Sequence, residues 1–186
     1  FHPMKGPMTT QTLRGLLNLS PYHWRGEKTN FAAFNSTFTD LMGGPQLSTE
    51  NMSLYTNFVN SILFLPNPNE NLDRTMPTSF NGGDPATGQS DFVTVAGTGA
   101  APPKGLTCNQ CHTSNPGPGS DRVILGSFPP QPLKVPELRN IYQKLMYNRF
   151  GTQSIDGFGL AHDGTTAGLA DFLGKPLFKK YTAAQL

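Results

Sequence analysis

The strongest constraint on this chain is the placement of its two cysteines. The sequence has 186 residues, and Cys108 and Cys111 are its only cysteines, with His112 directly after the second. This C-x-x-C-H spacing is the attachment signature of c-type haem, in which both thiols bond to haem vinyl groups and the histidine becomes the proximal iron ligand. On one turn of helix the three side chains share a face. The motif therefore predicts one covalently attached haem c, held by Cys108, Cys111 and His112.

Other uses of two cysteines fit the sequence less well. A structural zinc site needs four ligands and usually a second cysteine or histidine pair. A thioredoxin-like redox pair needs a surrounding βαβ pattern, whereas Gly and Pro crowd this region. A disulfide across two residues would close a loop too short to stabilise the fold much. Because c-type haem is attached outside the cytoplasm, the motif also predicts a periplasmic or extracellular protein.

Composition favours short helices joined by long connections. The chain contains 20 glycines and 17 prolines, well above average usage. Charged residues make up 14%, with 14 basic and 12 acidic side chains, which argues against a charge-rich tail or a coiled coil. This balance predicts no nucleic-acid partner, and no apolar run is long enough to predict a transmembrane segment.

The first of three stretches, residues 1–65, has the most regular pattern. Apolar residues recur at helical spacing from Phe31 onward. Ser48 is a natural N-cap for an amphipathic helix that Pro66 stops. We therefore expect two helices in this stretch.

The remainder divides into a linker and a second regular stretch. Residues 66–105 are rich in turn formers and read as a linker, with short strands near residues 92–95. Residues 106–186 contain the predicted haem helix, a helix starting at Pro136 and a last short helix from Thr165 through Leu173. The linker would thus separate two mainly helical regions.

An imperfect internal repeat links the two outer stretches. Each carries a Leu-Arg pair, then a histidine with a glycine two or three residues later, and then an apolar helix. The pair ends at Arg14 in the first half and at Arg139 in the second. We interpret the pattern as a duplication in which His23 corresponds to His162.

The same residues carry a resemblance to a known family. Residues 135–140 read V-P-E-L-R-N and residues 162–164 read H-D-G. They resemble the "P-x-L-R-N … H-D-G" signature of the bacterial di-haem cytochrome c peroxidase and MauG-type family. The first stretch is similar to the corresponding end of the other haem domain in large relatives. The resemblance covers about residues 2–65 and 106–186 and leaves the linker unexplained.

The resemblance implies a mainly α, cytochrome-c-like fold with long Gly/Pro-rich irregular loops. The family has two such domains, each with its own C-x-x-C-H, whereas this sequence has one such motif. We therefore expect residues 1–65 to be the C-terminal part of one domain whose attachment motif is not in this chain. Residues 106–186 would be a second haem domain that is incomplete at its C-terminus.

The second axial ligand of the haem is left open by the sequence. Met146 would give a His/Met iron of raised reduction potential, and core packing is the alternative use of this side chain. His162 would give a bis-histidine iron, although in the resembling family this histidine sits beside the haem. Tyr181 is a further candidate because MauG-like relatives use a tyrosine. A distal side without a protein ligand from this chain would fit a truncated domain or an open catalytic iron.

Further residues are candidates for contact with the haem edge or with a second haem. Met42 stands where the peroxidase-like pattern places an axial methionine, so we expect it either to bind a haem attached outside this sequence or to pack in the core. His23 is expected to form a hydrogen bond beside that haem rather than to bind iron. Arg14 and Arg139 are expected either to pair with haem propionates or to be solvated at the surface.

The favoured function is electron transfer through covalently bound haem, with other redox proteins or neighbouring haem domains as partners. The first alternative is part of a di-haem peroxidase or oxidase that acts on hydrogen peroxide or an organic substrate. The second alternative is a structural or interaction subunit that a haem stabilises. An oligomer or a larger assembly is compatible with each of them.

Overall fold

The computed structural model describes residues 6–97, 105–112, 123–124, 132–145 and 157–175. Helices account for 33% of these described residues. Within the described ranges the α-helices are α1 (Asn35–Asp40), α2 (Thr49–Asn60), α3 (Pro85–Thr94), α4 (Cys108–Cys111) and α5 (Leu169–Leu173). Short 3-10 helices span Phe31–Phe34 and Ile141–Gln143. Strands β1 (Val123–Ile124) and β2 (Leu133–Lys134) pair antiparallel, with Val123 opposite Lys134.

The main hydrophobic cluster of the described residues lies in the first stretch. Its buried members are Phe31, Met52 and Val59. Partly buried apolar side chains surround them: Leu16, Tyr22, Phe34, Phe38, Leu47 and Tyr55. Two of the three buried members lie on α2, which is the amphipathic helix that the sequence predicts.

The Ser48 N-cap of α2 is confirmed. Its side chain accepts a hydrogen bond from the Asn51 N–H and so satisfies one of the unpaired donors of the first turn. The helix ends at Asn60, well before Pro66, because the Ser61 N–H already closes it onto Asn57 and Phe58 carbonyls. Phe31 also begins helical structure as predicted, first as a 3-10 turn and then as α1.

The predicted strands near residues 92–95 are wrong, because Phe92–Thr94 belong to α3. Asp84 accepts hydrogen bonds from the Ala86 and Thr87 N–H groups, and Pro85 occupies the first helical turn. This N-terminal signal outweighs the strand preference of the β-branched residues at the other end. The predicted linker therefore contains a ten-residue helix, and this helix packs against α4.

The predicted helix from Pro136 is wrong. Residues 135–138 have no regular structure, and only the 3-10 turn Ile141–Gln143 follows. The Glu137 carboxylate accepts from the Arg139 N–H and the Pro136 carbonyl faces His112, so both backbone groups are engaged outside a helix. The last helix is confirmed at Leu169–Leu173 but begins later than Thr165, whose N–H is bonded to Asp163.

The two outer stretches contact each other directly. The Tyr142 hydroxyl donates to the Leu65 carbonyl at 2.6 Å, and Arg139 donates to the Gly15 carbonyl at 3.2 Å. These bonds join residues 77 and 124 positions apart. None of the helices in the described part of the chain is long and apolar enough to cross a membrane.

The buried face of α2 should carry more of the stability than its exposed face. Met52 is 3% exposed and Leu54, two residues away, is 62% exposed. We expect Met52→Ala to lower the free energy of unfolding by about 2–5 kcal/mol, because it leaves a cavity in the cluster. Leu54→Ala is the matched control and should change it by less than about 0.5 kcal/mol. Urea unfolding of both variants measures the difference, and equal losses would contradict the assigned core.

Candidate functional site

The cysteines lie on a single helical turn, as the sequence predicts. They are the first and last residues of α4, and both side chains are thiols. Cys111 is buried and Cys108 is partly exposed. The turn is held at its start by Gln110, whose side-chain oxygen accepts from the Thr107 N–H at 2.8 Å. One short turn therefore presents two sulfur atoms and ends at the histidine.

His112 is oriented by a backbone carbonyl from a distant part of the chain. Its Nδ1 lies 3.0 Å from the Pro136 carbonyl oxygen. A carbonyl oxygen accepts only, so Nδ1 carries the proton and Nε2 keeps its lone pair. Burial lowers the pKa of His112, against the opposing effects of the Pro136 carbonyl and of Glu137. The imidazole is thus neutral, and the lone pair of Nε2 is not engaged by this hydrogen bond.

Residues that the sequence did not single out complete the surroundings of this histidine. The Phe92 ring of α3 lies 6.5 Å from the His112 ring, tilted by 45°. Burial also lowers the pKa of Lys144, and the nearby charge of Glu137 opposes that shift. Phe92 escaped prediction because its segment was assigned to strands. The contact of the Pro136 carbonyl with His112 could not be predicted, because the carbonyl is a backbone group and no residue type indicates where it points.

The arrangement fits a c-type haem. Two thiols on one turn, an imidazole with Nε2 available and an adjacent aromatic ring are the donor set and the apolar wall that such a group needs. Within the described ranges, no cluster of three or more His, Cys, Asp or Glu side chains forms a separate metal site.

The loop that holds His162 has a counterpart in the first half. Tyr22 forms an isolated bridge with Lys28, and Leu160 forms one with Thr166. Both loops have left-handed backbone at their second and fifth residues. These residues are His23 (φ 74°), Gly26 (φ 66°), Ala161 (φ 66°) and Gly164 (φ 70°). Two loops of equal length with the same unusual backbone support the predicted duplication.

The loops also correct the register of the repeat. His23 is the second residue of its loop, whereas His162 is the third residue of the other. The backbone counterpart of His162 is therefore Trp24, and that of His23 is Ala161. The predicted correspondence between His23 and His162 is therefore wrong by one residue. The prediction matched the two histidines by residue type, although it is Trp24 that, like His162, stands two residues before the glycine of its loop.

The segments with the Leu-Arg pair share a second local feature. The Thr12 hydroxyl accepts from the Arg14 N–H at 3.2 Å, and the Glu137 carboxylate accepts from the Arg139 N–H at 2.9 Å. We name residues 9–15 the first arm and residues 134–140 the second arm. Corresponding positions in the two arms differ by 125, since 139 − 14 = 125.

Each arm binds the loop of the opposite half. The Thr9 N–H donates to the His162 carbonyl at 2.8 Å, and the Lys134 N–H donates to the Trp24 carbonyl at 2.8 Å. Thr9 and Lys134 are equivalent in the arms, and His162 and Trp24 are equivalent in the loops. The Trp24 indole also donates to the Thr9 carbonyl at 2.7 Å, and its ring lies 6.4 Å from the His162 ring. The two halves are thus joined by crossed arms.

The other predicted residues lie in different surroundings. The Arg139 guanidinium pairs with Glu137 at 3.0 Å and lies 5.0 Å from the Phe64 ring, so it joins the two halves, and its contact with a propionate stays a prediction. His23 pairs with Glu27 at 2.6 Å. Met42 is 72% exposed rather than packed in the core. The candidates Met146 and Tyr181 lie outside the described residues.

Comparisons of this chain with protein-family models, with curated proteins and with solved structures find no match. The di-haem resemblance therefore rests on the motif residues quoted above. The crossed arms and paired loops are independent of it, because they follow from the hydrogen bonds and backbone angles of the structure.

The His162 loop should be more sensitive to a glycine substitution than a loop of the same backbone angle elsewhere. Gly164 and Gly43 both have φ +70°, but a Cβ on Gly164 would lie 2.3 Å from the Phe158 carbonyl, whereas one on Gly43 meets nothing within 4 Å. Gly43→Ala should cost about 1–2 kcal/mol of stability. Gly164→Ala should cost clearly more, as measured by denaturant unfolding. Equal losses would show that the loop is not packed as described.

Proposed function

We propose that this protein is a c-type cytochrome that transfers electrons through a covalently bound haem. The observation that carries the proposal is the joint placement of the two α4 thiols and of His112, whose Nδ1 is occupied by Pro136. That hydrogen bond leaves Nε2 as the nitrogen that would bind the iron. When bound, haem supplies a one-electron couple whose potential depends on its axial ligands and burial.

The residues of this chain would each have a limited task. Cys108 and Cys111 hold the group, and His112 provides the proximal nitrogen. The Phe92 ring of α3 lies 6.5 Å from the imidazole and would form part of the apolar wall beside it. The Pro136 carbonyl keeps the imidazole in one tautomer and raises its basicity as a ligand. Met146 and His162 remain the proposed candidates for the opposite axial position.

A second haem in contact with the first half is part of the proposal. In the duplication, Gln11 is the counterpart of Pro136, and it lines a cavity of about 370 Å³. The cavity is also lined by Leu13, Leu16, Tyr22 and His23. Met42 is exposed but does not line this cavity, so a bond from its thioether to the iron of a second haem is proposed from the sequence pattern alone. His23 lines the cavity and would lie beside a haem held there.

The proposed cellular setting follows from the chemistry of attachment. A haem joined through C-x-x-C-H is assembled outside the cytoplasm, so we place the protein in the periplasm or outside the cell. Its partners would be other redox proteins or neighbouring haem domains. The near-neutral balance of 14 basic and 12 acidic residues favours docking by apolar and polar contacts over strong electrostatic steering.

Covalent attachment is tested by removing the thiols. The double variant Cys108→Ser/Cys111→Ser should lose all covalently bound haem, because no sulfur remains to form a thioether. The matched control Asn109→Ala changes one of the two residues between them and should keep one haem per chain. Intact mass and the absorption spectrum in pyridine count the haem. A colourless wild-type protein whose thiols react freely with an alkylating reagent would refute the proposal.

The alternative function, a di-haem peroxidase or oxidase, is tested by asking whether the second axial position of the iron is occupied. An electron carrier should show a six-coordinate iron whose absorption spectrum does not change with carbon monoxide in the reduced state or with peroxide in the oxidised state. A vacant or displaceable position is what peroxide cleavage requires. An iron that binds carbon monoxide and reacts with peroxide would favour the di-haem peroxidase or oxidase instead.

A further inference from the structure

The second arm connects the proximal histidine to the first half of the molecule. Pro136, whose carbonyl faces His112 Nδ1 at 3.0 Å, lies two residues after Lys134. Between them stands Val135, which is 3% exposed. This short segment is therefore packed at its centre and bonded at both ends. A movement at Lys134 would be passed to the Pro136 carbonyl.

Lys134 contacts the first half in three ways, in addition to its pairing with Val123 in the β1–β2 pair of its own half. Its backbone N–H donates to the Trp24 carbonyl at 2.8 Å. Its ammonium donates to the Leu19 carbonyl and lies 5.5 Å from the centre of the Tyr22 ring. The residue is 8% exposed, so its charge interacts with these groups in a setting of low water access.

We propose that Lys134 is a positioning residue for His112. It fixes the second arm on the first-half loop and so sets the Pro136 carbonyl against the imidazole Nδ1. The inference rests on the proposed function, since it concerns the histidine that would bind the iron. It adds that the setting of this ligand depends on contacts made in the other half of the duplication.

The physical reason is the sensitivity of a ligating imidazole to its second nitrogen. A strong hydrogen bond from Nδ1 to a carbonyl makes the imidazole more basic, which favours the oxidised iron and lowers the reduction potential. A carbonyl that is displaced weakens that bond. Loss of the Lys134 contacts would therefore change the reduction potential of the haem, although the Lys134 ammonium itself is bonded to the first half.

The sequence offers a matched control for the test. Lys28 also donates from its ammonium to a backbone carbonyl, that of Ala33, at 2.9 Å, and it lies 5.6 Å from the Phe34 ring. It has the same kinds of contact as Lys134, but all of them lie within the first half. Lys134→Met and Lys28→Met, made in the haem-loaded full chain, therefore differ in whether the side-chain contacts between the second arm and the first half are lost.

Two measurements decide the outcome. In Lys134→Met the solvent exchange of the His112 Nδ1 proton should become faster, by up to about tenfold for one lost hydrogen bond, and the midpoint potential should shift. In Lys28→Met both should stay at the wild-type values. Lys134→Arg, which keeps the charge and a donor, should restore the slow exchange. Lys134→Gln keeps a donor but not the charge and should also exchange more slowly than Lys134→Met, which separates positioning from the loss of a positive charge.

The possible results separate the positioning role of Lys134 from the proposed electron-transfer function. Slow exchange in Lys134→Met, equal to that in Lys28→Met, would overturn the positioning role while leaving the electron-transfer proposal intact. A chain that carries no haem at all would refute the proposed function before this comparison begins. Should Lys134→Met fail to fold, Lys134→Leu also removes both the charge and the donor and enters the same comparison with the same expected direction.

Discussion

The hydrogen bond between His112 and the Pro136 carbonyl is the interaction on which the site depends. It joins residues 24 positions apart at 3.0 Å, and it fixes which imidazole nitrogen is free. Without it, the three motif residues would be only a turn of helix with two thiols. The bond also explains why residues 135–138 do not continue as a helix, since the Pro136 carbonyl is directed at the imidazole and not along its own segment.

This bond is part of a larger relation between two similar halves. The arms repeat the same contact between a side chain and the backbone N–H two residues later, and the loops repeat the same left-handed positions. Each loop is closed by a bridge between its own ends and is also bonded to the arm of the other half. A change in one half must therefore be felt in the other, because the bonds at Trp24 and His162 are shared between them.

The sequence predicted those features that local residue types determine. The Ser48 cap, the helix that follows it and the helical turn at Cys108 all depend on neighbours within a few residues. It failed where a carboxylate cap or a distant contact decided the structure, as for α3 after Asp84 and for the segment at Pro136. The register of the repeat was misread because His23 and His162 match in type, whereas the backbone matches Trp24 with His162.

The distribution of described buried residues differs between the two halves. The described hydrophobic cluster belongs to the first half, around Met52 and Val59. Among the described residues of the second half, the buried apolar side chains are Cys111, Val135 and Leu160, and they are not members of that cluster. The proposed haem, held by two thioether bonds, would add buried apolar surface beside Cys111, while the crossed arms attach this region to the cluster of the first half.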